Sequence, residues 1–175
     1  MRLSLLAVFL LLAAPAFADD WWSYDNARFG YMIDLPDAFA ISGHPDGSDG
    51  LTLAPPDKSA KLVVFGTRLL QDDFAAQAKF RMALAKSDGW QMSYSKVAGR
   101  AVSFSGIRGD RILYARGVAL CNGDAAFFQI DYPKGEMQRY DAVVMRLARS
   151  LRPAEKCPGT ARNNRRVGGG FFRTG

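Results

Sequence analysis

Apolar and polar residues alternate along much of the chain, and this period of two predicts β-strands. The alternating stretches lie at residues 29–36, 51–53, 61–67, 91–97, 100–107, 111–121 and 125–132. Turn-forming residues separate them, most densely at 44–50 and 55–58. The last four stretches follow one another with only short turns between them, so we expect them to form an antiparallel meander.

Two segments follow the helical period instead. The first begins after Asp72 or Asp73, either of which can cap a helix, and ends at Gly89. Its apolar positions recur every three or four residues, at Phe74, Ala78, Met82 and Ala85. The second runs from residue 136 to about residue 151, with its apolar positions at Met137, Tyr140, Val144, Leu147 and Leu151.

Two helices are too few to cross over between every pair of strands. The sequence therefore predicts an α+β domain, in which an antiparallel sheet of about six to seven strands carries two flanking helices. Within that sheet the pair Asn122-Gly123 is the strongest hairpin signal. Both residue types tolerate the positive φ of a type I′ turn, so we predict such a turn between the last two strands.

The first 18 residues have the features of a secretory signal peptide. Met1-Arg2 is a basic start, an apolar run follows, and Ala16 and Ala18 occupy the two positions that signal peptidase reads. The apolar run is shorter than the roughly 20 residues of a membrane helix, which favours cleavage after Ala18 over a retained anchor. We expect a periplasmic or secreted protein with a single domain at 19–153 and a tail at 154–175.

The formal net charge of +6 is unevenly distributed. Residues 19–151 carry equal numbers of basic and acidic side chains, so the surplus of the exported chain lies in residues 152–175. The tail lacks an apolar period and contains three consecutive glycines at 168–170, which predicts disorder. Its arginines are either solvated or bind an anionic membrane or envelope polymer weakly: Arg162, Arg165, Arg166 and Arg173. Export argues against a nucleic acid as the target.

The chain has two cysteines, Cys121 and Cys157. An even number in an exported protein favours a disulfide bond, because that compartment is oxidising. The bond would join the exit of the final helix to the end of a strand. Two free thiols and a redox or metal role are the alternatives, and the spacing is far from the Cys-x-x-Cys of oxidoreductases.

His44 is the only histidine. A zinc site with several histidines is therefore excluded, and a catalytic triad would have to use this residue. A surface position in a turn is the simpler interpretation. In the same segment Asp46 and Asp49 are weak candidates for a Ca²⁺ site, but they lack the spacing of an EF-hand loop. We expect no metal and no cofactor, since nucleotide-binding motifs are also missing from the sequence.

Three aromatic residues, Trp21, Trp22 and Tyr24, follow the cleavage site closely. Two interpretations remain open for them. They fold back onto the core as an N-terminal clasp, or they form a contact surface for a partner, because Trp and Tyr contribute strongly to interface energetics.

Four stretches carry a resemblance to a known group: YDNARFGYMIDLP at 24–36, DGSDG at 46–50, and the residues at 140–144 and at 150–153. Together they resemble small exported proteins of alphaproteobacteria with a fold similar to the PsbP/Mog1 group. The resemblance spans about residues 22–153. It implies an antiparallel sheet flanked by helices and members that bind other proteins rather than catalyse reactions. It implies no functional residue, because no site motif matches.

These observations favour an exported, non-catalytic binding or accessory protein of the bacterial cell envelope. Its partner would be another envelope protein, docked on the sheet face or at the Trp21-Trp22 end. A second hypothesis is a membrane-surface or envelope-polymer binder that acts through the arginine-rich tail. A third is a small hydrolase that uses His44 and nearby aspartates.

Overall fold

A computed structural model describes residues 20–45, 49–70 and 73–155 of the chain. The strands in these ranges are β1 (Trp21–Asn26), β2 (Tyr31–Pro36), β3 (Ala40–Gly43), β4 (Gly50–Ala54), β5 (Lys61–Arg68), β6 (Gln91–Ala98), β7 (Ala101–Arg108), β8 (Arg111–Ala119), β9 (Asp124–Pro133) and β10 (Arg152–Pro153). The helices are α1 (Phe74–Ser87) and α2 (Met137–Ser150). Neither helix is long and apolar enough to cross a membrane.

The main sheet has seven strands in the order β3-β4-β5-β9-β8-β7-β6. Every neighbouring pair is antiparallel. The α+β class and the strand number predicted from the sequence are confirmed, and β6 to β9 form the predicted meander. Since β5 pairs with β9, the connection through α1 leads from the middle of the sheet to its far edge.

The first strand predicted from the sequence, at 29–36, does not belong to this sheet. Its observed counterpart β2 pairs with β1 on one side and β10 on the other, and the three form a small antiparallel sheet of their own. The strands β1, β3 and β10 were not predicted. Strand β10 has only two residues and β3 is almost wholly exposed, so neither has the alternating pattern of a half-buried strand.

The two faces of the main sheet build two hydrophobic clusters. Along β9, Phe128 and Ile130 face one cluster and Phe127 faces the other, because side chains alternate across a strand. The first cluster lies beneath α2 and the small sheet, with Tyr31 and Leu147 fully buried. The second lies beneath α1. The domain therefore has three layers, with the main sheet in the middle.

The end of α1 shows how local chemistry fixes an element. The Trp90 N–H donates to the Ala85 carbonyl at 3.0 Å, and the Gly89 N–H donates to the Lys86 carbonyl at 3.0 Å. Gly89 has φ of +88°, and Trp90 is buried. This is a Schellman motif, in which glycine supplies the left-handed conformation and the next apolar residue packs back on the helix.

Two details differ from the sequence predictions. Within the described ranges Lys58 is the only non-glycine residue with positive φ, so Asn122 does not form a type I′ turn with Gly123. Leu120 follows the end of β8, and its backbone N–H donates to the Asp124 carbonyl at 2.8 Å. Its side chain is buried. In α2, Val143 is buried where Val144 was expected, and Met137 is 48% exposed.

Candidate functional site

The aromatic residues near the N-terminus lie on β1 and are partly buried against the first cluster. Trp22 and Tyr24 pair with Leu35 and Ile33 of β2, and their rings meet edge to face with centroids 6.0 Å apart. Trp21 lies on the other face of the small sheet, where the Arg146 guanidinium stacks on its ring at 4.6 Å. These contacts with the core are the ones expected if the three residues form an N-terminal clasp. A role in partner contact stays a prediction for these residues.

A hydrogen-bond network behind β1 fixes the small sheet to the segment before β4. The buried Asn26 donates from Nδ2 to the Tyr24 hydroxyl at 3.1 Å and accepts from the Phe29 N–H at 3.0 Å. The Tyr31 hydroxyl donates to the Asp49 carbonyl at 3.3 Å. Burial raises the pKa of the Tyr31 phenol well above its usual range. The network joins the two sheets and gives these polar groups a structural role.

Of the weak metal and catalytic candidates, the structure describes Asp49 and His44. The Asp49 carboxylate forms an ion pair with Arg28 at 2.7 Å, and Asp46 lies outside the described residues. His44 is exposed after the end of β3. Within the described ranges no group of three or more His, Cys, Asp or Glu side chains is arranged for a metal ion.

The structure describes one of the two cysteines. Cys121 follows β8, and its Sγ lies 3.6 Å from the carbonyl oxygen of Glu155. Cys157 and the tail arginines Arg162, Arg165, Arg166 and Arg173 lie outside the described residues. The disulfide bond between Cys121 and Cys157 therefore stays a prediction. The contact between Cys121 and Glu155, which is two residues before Cys157, is compatible with it.

One serine has the partners of a possible nucleophile. The Ser59 hydroxyl donates to Asp57 Oδ1 at 2.7 Å and lies 2.9 Å from the Tyr140 hydroxyl. Hydrogen bonds from Ser59, first from its backbone N–H, lower the pKa of Asp57 and make this carboxylate a weak base. The arrangement ties the turn at 55–58 to α2, and it is poorly suited to activating the serine.

A surface of six side chains lies on β6, β7 and β8, on the same face of the main sheet as α2. Cross-strand pairing aligns its side chains in two rows, Tyr94–Ser105–Tyr114 and Lys96–Ser103–Arg116. We call these six residues the open sheet face. The helix α2 contacts β2 and β9 instead, so the six side chains keep access to solvent, and Tyr94 is 48% exposed.

Hydrogen bonds and stacking order the open sheet face. Arg116 Nη1 donates to the Ser103 hydroxyl at 3.1 Å, and its buried Nε has no acceptor in the described part of the chain. The Tyr114 ring stacks on Phe128 at 5.9 Å between centroids. The face combines two tyrosines, two cationic side chains and no carboxylate. Strand β6 is also the edge of the sheet, and no other strand of the described ranges pairs with its outer side.

The sequence hypothesis offered the sheet face as a docking surface without naming these residues. Arg81 lies off the apolar positions of α1 in the sequence, whereas the structure packs Arg81 against aromatic rings of the second cluster. A period of 3.6 does not reveal this, because a long side chain can turn back to the sheet from the flank of a helix.

Comparisons with solved structures show the fold. The cyanobacterial PsbP (CyanoP) of Synechocystis sp. PCC 6803 matches with a TM-score of 0.60 at 11% identity, over 81% of this chain and 95% of that one. The Ran-binding protein Mog1p of Saccharomyces cerevisiae matches with a TM-score of 0.58 at 10% identity, over 79% and 97%. LpqN of Mycobacterium tuberculosis, described as involved in cell envelope biogenesis, matches with a TM-score of 0.50 at 16% identity, over 78% and 92%.

These neighbours confirm the PsbP/Mog1-like fold that the sequence resemblance implied. No protein-family model matches the chain, and no curated protein matches it. At such low identities the similarity extends to the fold alone. The alphaproteobacterial relationship remains a prediction.

Proposed function

We propose that the protein is an exported, non-catalytic binding protein of the bacterial cell envelope that docks another protein on its open sheet face. The observation that carries the proposal is the pair of side-chain rows on β6, β7 and β8. Tyrosine and arginine are the residues that most often contribute binding energy at protein interfaces. Here they stand on a rigid sheet, so little conformational entropy is lost when a partner binds.

The charge of the face indicates the chemistry of its partner. Lys96 and Arg116 lie on either side of Ser103 in one row, and none of the six side chains is acidic. An acidic region of a protein is therefore the complementary surface, and attraction between the two would raise the association rate.

Two of the neighbours support the class of function. One is named as a Ran-binding protein, and another is described as involved in cell envelope biogenesis. The fold thus serves protein binding in one organism and the cell envelope in another. Together with the signal peptide expected at residues 1–18, they support our proposal that the protein acts in the periplasm or outside the cell.

The test is affinity purification from native envelope extract with the exported chain as bait. The double variant Tyr94→Ala/Lys96→Ala alters two exposed side chains and leaves the core intact. Met145→Ala on α2 is the matched control, because Met145 is 51% exposed and lies away from the open sheet face. We expect a stoichiometric partner to elute with the wild type and the control, and at least about tenfold less of it with the double variant.

The outcomes separate the hypotheses. A partner that binds the double variant as well as the wild type rejects the open sheet face, and its loss on deletion of residues 158–175 would assign binding to the tail. If no protein elutes with any bait, the protein-binding function itself is wrong. A hydrolytic activity that disappears in His44→Ala would then favour the enzyme hypothesis.

A further inference from the structure

A second surface lies on the opposite side of the main sheet, at the flank of α1. Its centre is Arg81, whose guanidinium carbon lies 4.5 Å from the ring centroid of Phe65 and 5.6 Å from that of Phe127. The ring of Phe80 is the third neighbour, at 5.9 Å. The cation is thus held against aromatic rings of the second cluster and a ring of its own helix.

Arg81 has no counter-ion in the part of the chain that the structure describes. Among the described residues it forms no ion pair and no hydrogen bond, and its Nε is buried without an acceptor. Burial lowers the pKa of its guanidinium, although an arginine remains charged. A partly buried cation without a carboxylate is costly, and stacking on aromatic rings offsets only part of the cost.

The surroundings of Arg81 on α1 are basic and apolar. The helix α1 carries Lys79, Arg81 and Lys86 and no acidic residue. Beside Arg81, Phe80 and Leu84 stand one turn apart and are 42% and 40% exposed. A partly buried arginine with exposed apolar residues beside it is a feature of protein interfaces.

We propose that Arg81 is the anion-binding centre of a second docking surface, which recognises an acidic segment of a protein partner. An aspartate or glutamate carboxylate of that segment pairs with the guanidinium, and apolar residues on either side of it pack on Phe80 and Leu84. A planar guanidinium already held by aromatic rings is preorganised for a carboxylate. The inference goes beyond the proposed function, because the Arg81 surface and the open sheet face lie on opposite sides of the sheet and can fail separately.

The experiment uses a soluble peptide library with capped termini, in which one central glutamate is flanked by varied apolar residues. A matched library carries glutamine at the centre. Binding to the full exported chain is measured by fluorescence anisotropy at low and high salt. We expect the best glutamate peptides to bind at least about tenfold more tightly than their glutamine counterparts, with an affinity that falls as salt rises.

Variants of α1 assign the effect. Arg81→Gln should lose the preference for glutamate, and Arg81→Lys should keep part of it because the charge remains. Lys79→Gln removes the same charge from an exposed position of the same helix and should keep it fully. Thermal unfolding checks that each variant is folded. If Arg81→Gln is unfolded, NMR of the wild type replaces this variant. The Arg81 Nε–Hε signal should shift when a glutamate peptide is added, and a signal that does not move rejects the inference.

Three results would overturn it: equal binding of both libraries, a preference for glutamate that survives Arg81→Gln, or binding to anionic phospholipid vesicles but to no peptide. The last would make the site one for lipid headgroups. If the partner captured through the open sheet face binds Arg81→Gln unchanged, the proposed function stands, and the peptide result alone decides on Arg81.

Discussion

Gly117 lies in β8 directly beneath the ring of Phe127, in the cluster under α1. A Cβ atom added there would overlap ring atoms of Phe127, and that ring is fully buried, so it cannot move aside into solvent. We expect Gly117→Ala to lower the free energy of unfolding by about 1–3 kcal/mol. Urea unfolding followed by fluorescence measures this change.

Gly135 provides the matched control, since a Cβ atom at that position meets nothing within 4 Å. Gly135→Ala should change the stability by less than about 0.5 kcal/mol. Equal effects of the two substitutions would show that the loss at Gly117 comes from the backbone and not from contact with Phe127.

Three tyrosines make stability depend on alkaline pH. Burial is the largest cause that raises the pKa of Tyr31, Tyr132 and Tyr140 in the folded state. A raised pKa means that the folded protein holds these protons more tightly than the unfolded chain does. Stability is therefore complete below the ordinary phenol pKa of about 10 and falls as pH rises above it.

Tyr140→Phe tests this dependence. The variant should lose the hydrogen bond with Ser59 at neutral pH, which costs about 1 kcal/mol. Its melting temperature should then fall less steeply than that of the wild type as pH is raised above about 10. An identical slope in both proteins would mean that the Tyr140 phenol does not contribute to the alkaline unfolding.

At the scale of single elements, the N-cap of α1 shows how far a sequence signal reaches. The sequence allowed Asp72 or Asp73, and the structure has Asp73 as the cap, with extended backbone and its Oδ1 accepting from the Ala75 N–H at 2.8 Å. We expect Asp73→Ala to destabilise the protein by about 1 kcal/mol, and Asp73→Asn by much less, because asparagine also caps.

Thermal unfolding of both variants checks the expectation, with Asp141→Ala on the exposed side of α2 as the control. Asp73→Asn unfolding at the temperature of Asp73→Ala would show that the charge at the helix N-terminus matters more than the hydrogen bond.

For the whole molecule, the predicted disulfide would close a loop from β8 around β9 and α2. Cys121 Sγ already lies 3.6 Å from the carbonyl of Glu155, so the chain passes close enough to bring Cys157 within reach. A closed loop of about 37 residues stabilises the folded state by up to about 3.8 kcal/mol in the chain-entropy account.

Reduction of the native protein should therefore lower its melting temperature by several degrees and leave Cys121→Ser unchanged. Intact-mass measurement with and without reductant should show the gain of two hydrogens. If neither the mass nor the melting temperature of the wild type responds to reductant, the two cysteines are unpaired.

Several elements that the sequence predicted show a clear period in their burial. In β5 and β7 every second side chain is buried, and in α2 Tyr140 and Leu147 lie on one stripe. The pattern of apolar and polar residues does not indicate which strands pair with each other. Hence β2 was placed in the main sheet, although pairing with β1 and β10 puts it in the small one.

The sequence by itself determined the α+β class, the meander of β6 to β9, the limits of both helices to within a residue or two, and the uneven charge of the chain. Each of these follows from neighbours along the chain. The tertiary structure alone decided that α2 packs on β2 and β9 and leaves the open sheet face accessible to solvent, that Tyr94 and Tyr114 line up across three strands, and that Arg81 stacks on Phe65 and Phe127. These are contacts between residues far apart in sequence, and they arise only when the strand order and the layers are fixed.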